Sequence, residues 1–350
     1  MENGEGTLFQ ALLRRSRNGD RGAEATSEPN HPLVERPIIG LALGGGAARG
    51  FAHIGVLRTL LAHGIVPDVI VGTSIGAVVG GCYAGGQLDT FEGWARRLTK
   101  RGILGYLDVS LSGAGLIGGN RLTAQLESAL GNTTIDELAI RFAAITTEVG
   151  TGHEIWLTRG RLVDALRASY ALPGIFPPVR LGGRWLVDGA LVNPVPVSAA
   201  RALGARLVIA VNLNADMLGR GTTIASHGSD ADDEQLRQRL LKRPNGLRRI
   251  FSPERAIKRQ FIDSGRPGIP TVMVEAFNIM QDRITRARLA GDPPDVLISP
   301  RLGHVGWFDF HRAQQAIEVG ANATQRMLDP IAEAITALSS FPASVTATRK

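Results

Sequence analysis

The chain has 350 residues, of which 44% are hydrophobic and 20% are charged, so it can bury a sizeable core and is not disordered as a whole. Its single cysteine, Cys82, excludes an intrachain disulfide framework and a cysteine-based zinc site, and it fits a reducing compartment. Aromatic residues make up only 5% of the chain, which disfavours a module that stacks nucleic-acid bases, so no nucleic-acid partner is predicted.

Most of the basic excess lies in one segment. The whole chain has a net charge of +7, and the stretch from Arg220 to Arg266 holds eleven Lys and Arg against six Asp and Glu. We predict a polar, basic insertion at residues 217–268, which is either disordered or a lid in transient contact with a membrane surface. Residues 1–37 are polar without a sustained period and predict a flexible leader. The chain start lacks a secretory signal, which predicts a cytoplasmic protein, at most peripheral to the inner face of the membrane.

Strands and helices are predicted to alternate from Pro37 onward. The apolar run 38–43 ends in glycines, as a buried parallel strand does, apolar residues at helical spacing follow between His53 and Leu61, and residues 68–72 form a second apolar run. This order requires a parallel sheet with right-handed connections. The remaining predicted elements are a helix at Asn120–Leu130, strands at 142–147 and Glu154–Leu157, a helix at Leu162–Ser169, a strand at 184–187, a helix at 197–203, a strand at 206–213, a helix at 271–289, a strand at 295–298 and a long helix from Asp309.

The stretch 69–86 admits a second interpretation, because it contains no charged residue and could be taken for a membrane span. It holds six glycines, and the spacing of Gly76 and Gly80 can pack helices in lipid. Such a glycine load weakens a spanning helix. A buried strand, a tight turn and a buried helix are the favoured interpretation of the same residues.

The first motif with chemical meaning is Gly72-Thr73-Ser74-Ile75-Gly76, a G-x-S-x-G between a predicted strand and a predicted helix. A serine on such a sharp turn projects its hydroxyl away from the sheet, and the flanking glycines leave room for a strained backbone. The start of the next helix adds backbone N–H groups and the positive end of a dipole. The motif predicts Ser74 as a nucleophile, with a helix N-cap as the alternative.

A glycine-rich loop, Leu43-Gly44-Gly45-Gly46-Ala47-Ala48-Arg49-Gly50, joins the first predicted strand to the first predicted helix. Consecutive glycines let several backbone N–H groups point at one anionic oxygen, of a phosphate or of a tetrahedral intermediate in acyl transfer. The dinucleotide pattern G-x-G-x-x-G fails, because its last position falls on Arg49 when counted from Gly44. An oxyanion hole is the favoured interpretation; close strand–helix packing, with Arg49 as a structural ion-pair partner, is the alternative.

The third motif is Asp188-Gly189-Ala190, which follows a short predicted strand. A carboxylate at a strand end, with glycine after it, can reach the end of a neighbouring strand, although the same residues are also ordinary turn formers. No cluster of His, Asp and Glu has the spacing of metal ligands, so neither a metal nor another cofactor is predicted.

In this order and setting, the three motifs resemble those of the patatin-like phospholipases, in particular the bacterial members. The resemblance covers most of residues 37–214 and continues through 281–320. One departure is Ala190, which stands where the family usually has a second glycine. Three further stretches are similar to sequences of this family: residues 168–179, 188–197 and 283–296.

The resemblance implies a three-layer α/β fold with a mostly parallel central sheet, and a serine hydrolase that cleaves carboxylic esters of lipids, of the phospholipase or lysophospholipase type. Ser74 would be the nucleophile and Asp188 the base of a catalytic dyad without histidine. The backbone N–H groups of Gly45, Gly46 and Ala47 would hold the oxyanion. The residues that would support these motifs are Gly44, Arg49, Gly50, Gly72, Gly76 and Gly189.

The resemblance also implies a division of the chain. Residues 38–216 would form the patatin-like catalytic core, and residues 269–350 would complete the same domain with helices and a strand. The implied partner is a lipid ester substrate, and the sequence does not indicate an oligomeric state.

Two other interpretations stay open. A general esterase or thioesterase with a Ser–His–Asp triad would need a histidine, and the candidates are His53, His63, His153 and His304. Among these, His304 has the late position that such a triad usually gives its histidine. A non-catalytic regulatory module would instead use the glycine-rich loop to bind a nucleotide.

Overall fold

The computed structural model describes residues 36–99, 120–216 and 269–339. The predicted insertion 217–268 and, except for its last two residues, the predicted leader 1–37 lie outside the described residues.

One sheet organises the described part of the chain. Its strands lie in the order β5-β6-β3-β2-β1-β7-β8, and β4 also pairs with β3. The strands are β1 (Ile39–Leu43), β2 (Val69–Thr73), β3 (Arg141–Glu148), β4 (Glu154–Leu157), β5 (Val179–Leu181), β6 (Arg184–Asp188), β7 (Leu207–Val211) and β8 (Val296–Ile298). The run from β3 to β8 is parallel, whereas β4, β5 and β6 are antiparallel to their neighbours. The predicted mostly parallel sheet is confirmed.

Helices cover both faces of this sheet. They are α1 (Ala52–Ala62), α2 (Ile75–Ala84), α3 (Leu88–Arg96), α4 (Asn120–Leu130), α5 (Leu162–Ser169), α6 (Val197–Ala202), α7 (Ile269–Gly291), α8 (Ala313–Gln325) and α9 (Leu328–Ser339). Successive side chains of a strand point to opposite faces, so Leu41 and Leu43 of β1 join a large apolar cluster with α1, α2 and α8, while Ala42 joins a smaller one with α6. The predicted three-layer α/β fold is confirmed.

The register of the sheet brings three chain segments to one edge. Thr73, the last residue of β2, is level with Ile145 of β3. The next residue of β3, Thr146, faces Asp188 at the end of β6. Because β1 and β2 are parallel neighbours, the glycine-rich loop after β1 leaves the sheet at the same edge as Ser74.

The uncharged stretch 69–86 forms β2, a turn and α2 rather than one continuous helix. Its interpretation as a membrane span is therefore wrong. Of the helices within residues 36–99, 120–216 and 269–339, none is both long and apolar enough to cross a bilayer.

The C-terminal part differs from the sequence-based prediction. Instead of one long helix from Asp309, the chain forms a short 3₁₀ helix at Phe310–Arg312, then α8, and then α9 after a break. Pro330 explains the break, because it has no N–H to donate and its ring would clash in a continuous helix with the carbonyl of Arg326, four residues earlier. In the first turn of α9, by contrast, a proline is tolerated.

Candidate active site

Ser74 lies on the turn between β2 and α2. Its backbone has a φ of 57° and a ψ of −126°, and residues other than glycine rarely adopt such a positive φ. The motif glycines permit this turn through close backbone approach: a Cβ atom on Gly72 would overlap the backbone of Ala77, and one on Gly76 would overlap the carbonyl of Leu43.

Asp188 brings its carboxylate to this hydroxyl from the end of β6. Ser74 Oγ donates a hydrogen bond to Asp188 Oδ2 at 2.6 Å, and the Ala190 N–H donates to Oδ1 at 2.8 Å. The main chain of Asp188 is fixed as well, since its N–H donates to the Ala171 carbonyl at 3.0 Å and its carbonyl accepts from the Thr147 hydroxyl at 3.0 Å. Because Ala190 contributes only its backbone N–H, alanine makes the same contact that glycine would make here.

Asp188 is almost fully withdrawn from water, with 2% of its surface exposed. Burial disfavours the charged carboxylate and raises the pKa of Asp188 to about 6, and the hydrogen bonds from Ser74 and Ala190 limit the rise. A carboxylate with this pKa is a stronger base than an exposed aspartate and is still mostly ionised at neutral pH. This geometry allows a proton to pass from Ser74 Oγ to Asp188.

A second serine, Ser169, holds the backbone of the turn. Its hydroxyl accepts a hydrogen bond from the Ser74 N–H at 2.9 Å and donates one to the Ile145 carbonyl of β3 at 2.7 Å. Sequence reasoning missed this contact, because a serine at the end of a helix gives no sign of a partner 95 positions earlier in the chain. The signal that could have drawn attention to it was its place in the family-like stretch 168–179.

The glycine-rich loop after β1 is held by backbone hydrogen bonds that correct one prediction. The Gly44 N–H donates to the Val211 carbonyl at 3.1 Å, and the Gly45 N–H donates to the Pro194 carbonyl at 3.0 Å. The N–H of Gly45 is therefore not free to hold an oxyanion, in contrast to the sequence-based prediction. Gly45 nevertheless lies against Ser74, since a Cβ atom added to it would be 3.5 Å from the Ser74 Cβ.

The N–H groups of Gly46 and Ala47 are in a different position. Neither has an acceptor among the described residues, and both residues line a pocket in front of Ser74. Ala47 has a φ of 51°. Among the residues other than glycine in 36–99, 120–216 and 269–339, only Ala47 and Ser74 have a positive φ. Backbone strain is thus concentrated on the loop and on the turn that face each other.

Arg49 and Asn214 support the loop from behind. Arg49 is buried and donates from Nη1 to Asn214 Oδ1 at 2.6 Å and from Nε to the Val305 carbonyl at 2.9 Å. Asn214 in turn donates from Nδ2 to the Gly45 carbonyl at 3.2 Å. Sequence reasoning considered Arg49 as an ion-pair partner and did not single out Asn214, which follows β7 and meets the loop only in the folded chain.

His53 fixes the first peptide of the loop from α1. Its Nε2 lies 2.8 Å from the Gly44 carbonyl oxygen. Burial lowers the pKa of His53 to about 4, so the ring is neutral at physiological pH and carries its proton on the nitrogen that faces the carbonyl. His53 is therefore a structural donor to the loop.

Three of the remaining motif glycines allow close packing around the site. A Cβ atom on Gly50 would overlap the side chain of Ile75, and one on Gly189 would overlap the carbonyl of Ile145. A Cβ atom on Gly44 would lie 2.7 Å from the Val211 carbonyl oxygen, which is also too close.

A pocket lies in front of Ser74 and opens to solvent, and the empty space in and above it is about 690 Å³. Ser74, Asp188, Gly46 and Ala47 are among the residues that line it. The walls are mainly apolar and come from α2, from the segment 172–176 and from the aromatic segment 307–310. An apolar pocket with a few polar groups suits a ligand with an apolar chain and a small polar centre.

Comparisons with known proteins agree with the motifs. A sequence profile described as patatin-like phospholipase matches residues 41–201. An uncharacterised NTE family protein of Mycobacterium tuberculosis is 35% identical in an alignment of length 332, which covers 83% of this chain and 91% of that protein. The chain belongs to the patatin-like phospholipase family. Lysophospholipase NTE1 of Debaryomyces hansenii is 34% identical over 185 residues, which cover 52% of this chain and 12% of that protein. Among solved structures, VipD from Legionella pneumophila aligns with 84% of this chain at 13% identity and a TM-score of 0.43.

As a member of the patatin-like phospholipases, the chain is a lipid acyl hydrolase, not a non-catalytic nucleotide-binding module.

The other histidines considered for a triad are not hydrogen-bonded to Ser74 or Asp188. His63 bonds through Nδ1 to a carbonyl of its own helix at 2.8 Å. His153 and His304 are exposed. In this patatin-like site, the Asp188 carboxylate contacts the Ser74 hydroxyl directly, with no histidine between them.

Proposed function

We propose that this chain hydrolyses carboxylic esters of lipids, of the phospholipid or lysophospholipid type, with Ser74 as the nucleophile and Asp188 as the base. The observation that carries the proposal is the 2.6 Å hydrogen bond from Ser74 Oγ to Asp188 Oδ2, between two residues that line an apolar pocket. A serine hydroxyl is a weak nucleophile until a neighbouring group takes its proton, and a carboxylate within hydrogen-bond distance can take it.

In the first half-reaction, Asp188 accepts the hydroxyl proton while Ser74 Oγ attacks the carbonyl carbon of the ester. The carbonyl oxygen takes up the negative charge of the tetrahedral intermediate. The N–H groups of Gly46 and Ala47 are the donors that this proposal assigns to it, because the N–H of Ser74 is bound to Ser169. Asp188 then gives the proton to the leaving alcohol oxygen, the C–O bond breaks, and an acyl group remains on Ser74.

In the second half-reaction, a water molecule takes the place of the alcohol. Asp188 accepts a proton from this water as its oxygen attacks the acyl carbonyl, and the same two N–H groups bind the second oxyanion. The proton then returns to Ser74 Oγ as the fatty acid leaves. One carboxyl group serves as base and acid in turn, and a pKa of about 6 suits both roles.

The pocket supports a lipid substrate. Its apolar walls offer surface for an acyl chain, and Ser74 and Asp188 are polar residues within the same lining. Family membership supplies the reaction class. Because one relative is named a lysophospholipase, a lysophospholipid is the first substrate to test.

Substitution of either member of the pair tests the proposal. We expect Ser74→Ala and Asp188→Asn each to lower the hydrolysis of lysophosphatidylcholine and of p-nitrophenyl butyrate by about 10³-fold or more, because the nucleophile or its base is lost. A fluorophosphonate probe should label the wild-type protein on Ser74 and leave Ser74→Ala unlabelled.

His304→Ala is the matched control and is expected to keep wild-type activity. Turnover near the wild-type rate in either variant of the pair, with an unchanged circular dichroism spectrum, would contradict the dyad. Loss of activity in His304→Ala would favour a triad instead.

The proposal extends to the cytoplasmic location and to transient contact with the inner face of the membrane. Both rest on the sequence, since the basic insertion 217–268 lies outside the described residues. An attraction between this segment and anionic lipid would weaken as the salt concentration rises.

A further inference from the structure

Helix α7 directs polar side chains toward the interior of the protein. Its buried polar residues are each at most 8% exposed, and they are Asn278, Gln281, Asp282 and Thr285. The apolar side chains of Ile279 and Met280 on the same helix are exposed instead. This is the reverse of an ordinary amphipathic helix. Burial of a polar group costs free energy unless the group has a hydrogen-bond partner. The partners of these side chains therefore indicate why polar residues occupy this face of the helix.

Two of these side chains do not line the pocket themselves and have partners within the protein. Asn278 Oδ1 accepts a hydrogen bond from the indole N–H of Trp307 at 2.6 Å. Asp282 forms an ion pair with Arg286, one turn later on the helix, at 2.8 Å. Gln281 is different, because it is the polar residue of this helix that lines the pocket in front of Ser74.

The orientation of Gln281 follows from a series of donors that begins at Arg49. A guanidinium group can only donate, so Asn214 turns its side-chain oxygen toward Arg49. The Asn214 Nδ2 then donates to Gln281 Oε1 at 3.2 Å and to the Gly45 carbonyl at 3.2 Å. Since the Gln281 side-chain oxygen accepts this hydrogen bond, its NH₂ group is left to bond with a ligand in the pocket.

This NH₂ group has no acceptor among the described residues. Gln281 as a whole is only 3% exposed, but its Nε2 is not among the atoms that are fully shielded from water, and the residue lines the open pocket. A donor that lines a solvent-accessible pocket can exchange a water molecule for an oxygen atom of a bound ligand. We propose that Gln281 Nε2 donates a hydrogen bond to an oxygen of the bound ester, which makes Gln281 a substrate-binding residue. The inference rests on the proposed ester hydrolysis at Ser74.

Two kinds of ester oxygen match a neutral N–H donor. One is the carbonyl oxygen that becomes the oxyanion, because Asn214 joins Gln281 directly to the loop that carries Gly46 and Ala47. The other is an oxygen of the alcohol part, such as a glycerol hydroxyl or a phosphate oxygen. A bond to the carbonyl oxygen would affect every ester, whereas a bond to the alcohol part would affect only glycerolipids.

The test compares Gln281→Met, which keeps the length of the side chain without a donor, with Gln281→Glu, which keeps the acceptor for Asn214 and loses the donor. We measure kcat/KM on p-nitrophenyl butyrate and on lysophosphatidylcholine. We expect Gln281→Met to lower kcat/KM about 10-fold, as the loss of one hydrogen bond to a charged or polar oxygen does. Gln281→Glu should lower it further, because an ionised carboxylate repels a developing oxyanion and a phosphate alike. Met280→Gln, on the exposed side of the same helix, is the matched control and should leave kcat/KM unchanged.

The outcomes separate the inference from the proposed function. A fall on both substrates supports a bond to the carbonyl oxygen, and a fall on lysophosphatidylcholine alone supports a bond to the alcohol part. Unchanged kcat/KM in both Gln281 variants, while the wild-type protein is active and reacts with a fluorophosphonate at Ser74, overturns the inference and leaves the proposed function standing. A wild-type protein that cleaves neither ester overturns both. Thermal unfolding is measured for each variant to show that it folds. If Gln281→Met does not fold, the kcat/KM of Gln281→Glu alone supports or overturns the inference.

Discussion

Asp188 acquires its chemical character from its surroundings. An exposed aspartate is too weak a base to compete for a serine proton near neutral pH. Here burial raises the pKa of the carboxyl group to about 6, and it outweighs the opposing effect of the hydrogen bonds from Ser74 and Ala190. The same burial removes competing water from the hydrogen bond between Ser74 and Asp188.

This pKa leads to a pH prediction. Asp188 must be ionised to accept the proton of Ser74, so kcat/KM should be constant above about pH 7 and fall on the acid side with a midpoint near pH 6. The measurement is the pH profile of kcat/KM on p-nitrophenyl butyrate, with the fold followed by tryptophan fluorescence at each pH. A midpoint near pH 4, as for an exposed aspartate, would contradict this account.

At the scale of elements, α8 holds α1 in place behind the glycine-rich loop. The two helices approach backbone to backbone, because Gly55 of α1 and Gly320 of α8 lack side chains at the contact. A Cβ atom on Gly320 would overlap the carbonyl of Ala52, and one on Gly55 would overlap the carbonyl of Ile317. Since α1 begins directly after the loop and carries His53, this contact supports the position of the loop.

The same substitution, glycine to alanine, is expected to have opposite effects inside this helix contact and outside it. Gly320→Ala should lower the free energy of unfolding by about 2 kcal/mol, because the added methyl group forces the two backbones apart. Gly93→Ala, within α3, should raise it by about 0.5–1 kcal/mol, because its Cβ atom meets only the end of the Arg97 side chain at 3.6 Å and alanine favours the helix. Urea unfolding of the two variants measures both effects. A Gly320→Ala variant as stable as the wild-type protein would show that the helices separate at no cost.

At the scale of the whole molecule, the buried charge of Asp188 makes the folded state less stable. The unfolded chain loses this proton near the ordinary pKa of 3.8, whereas the folded protein keeps it up to about pH 6. Stability from this group is therefore fully present below about pH 4 and is lost as the pH rises through 6. The loss at neutral pH is about 3 kcal/mol at most, from a pKa difference of roughly two units.

We therefore expect Asp188→Asn to unfold at a higher temperature than the wild-type protein at pH 7.5, and the difference to vanish as the pH falls toward 4. Ser74→Ala is the control, since it is also inactive but keeps the buried charge and removes a hydrogen bond to it, so it should gain no stability. Differential scanning calorimetry of the three proteins at both pH values makes the comparison. An Asp188→Asn variant less stable than the wild-type protein at pH 7.5 would contradict the sign of the effect.

Much of the sheet was predictable because its strands are short apolar runs with glycines and polar residues between them. Other elements were readable but missed. Helix α3 buries Leu88, Phe91 and Ala95 at helical spacing. The β5–β6 hairpin turns at Gly182 and Gly183, which both have positive φ, and a glycine pair between two short extended runs is a signal for such a turn.

The sequence by itself determined what lies within a few residues along the chain: the alternation of strands and helices, the serine on its strand–turn–helix segment, and the glycine-rich loop. Only the tertiary structure decided which distant groups meet. It brings Asp188 to Ser74 across 114 positions, binds the Gly45 N–H to Pro194 and so removes it from the predicted oxyanion donors, and connects Arg49 through Asn214 to Gln281. Local patterns encode periodicity, whereas these contacts depend on sheet register and on the paths of loops, which no short stretch of sequence contains.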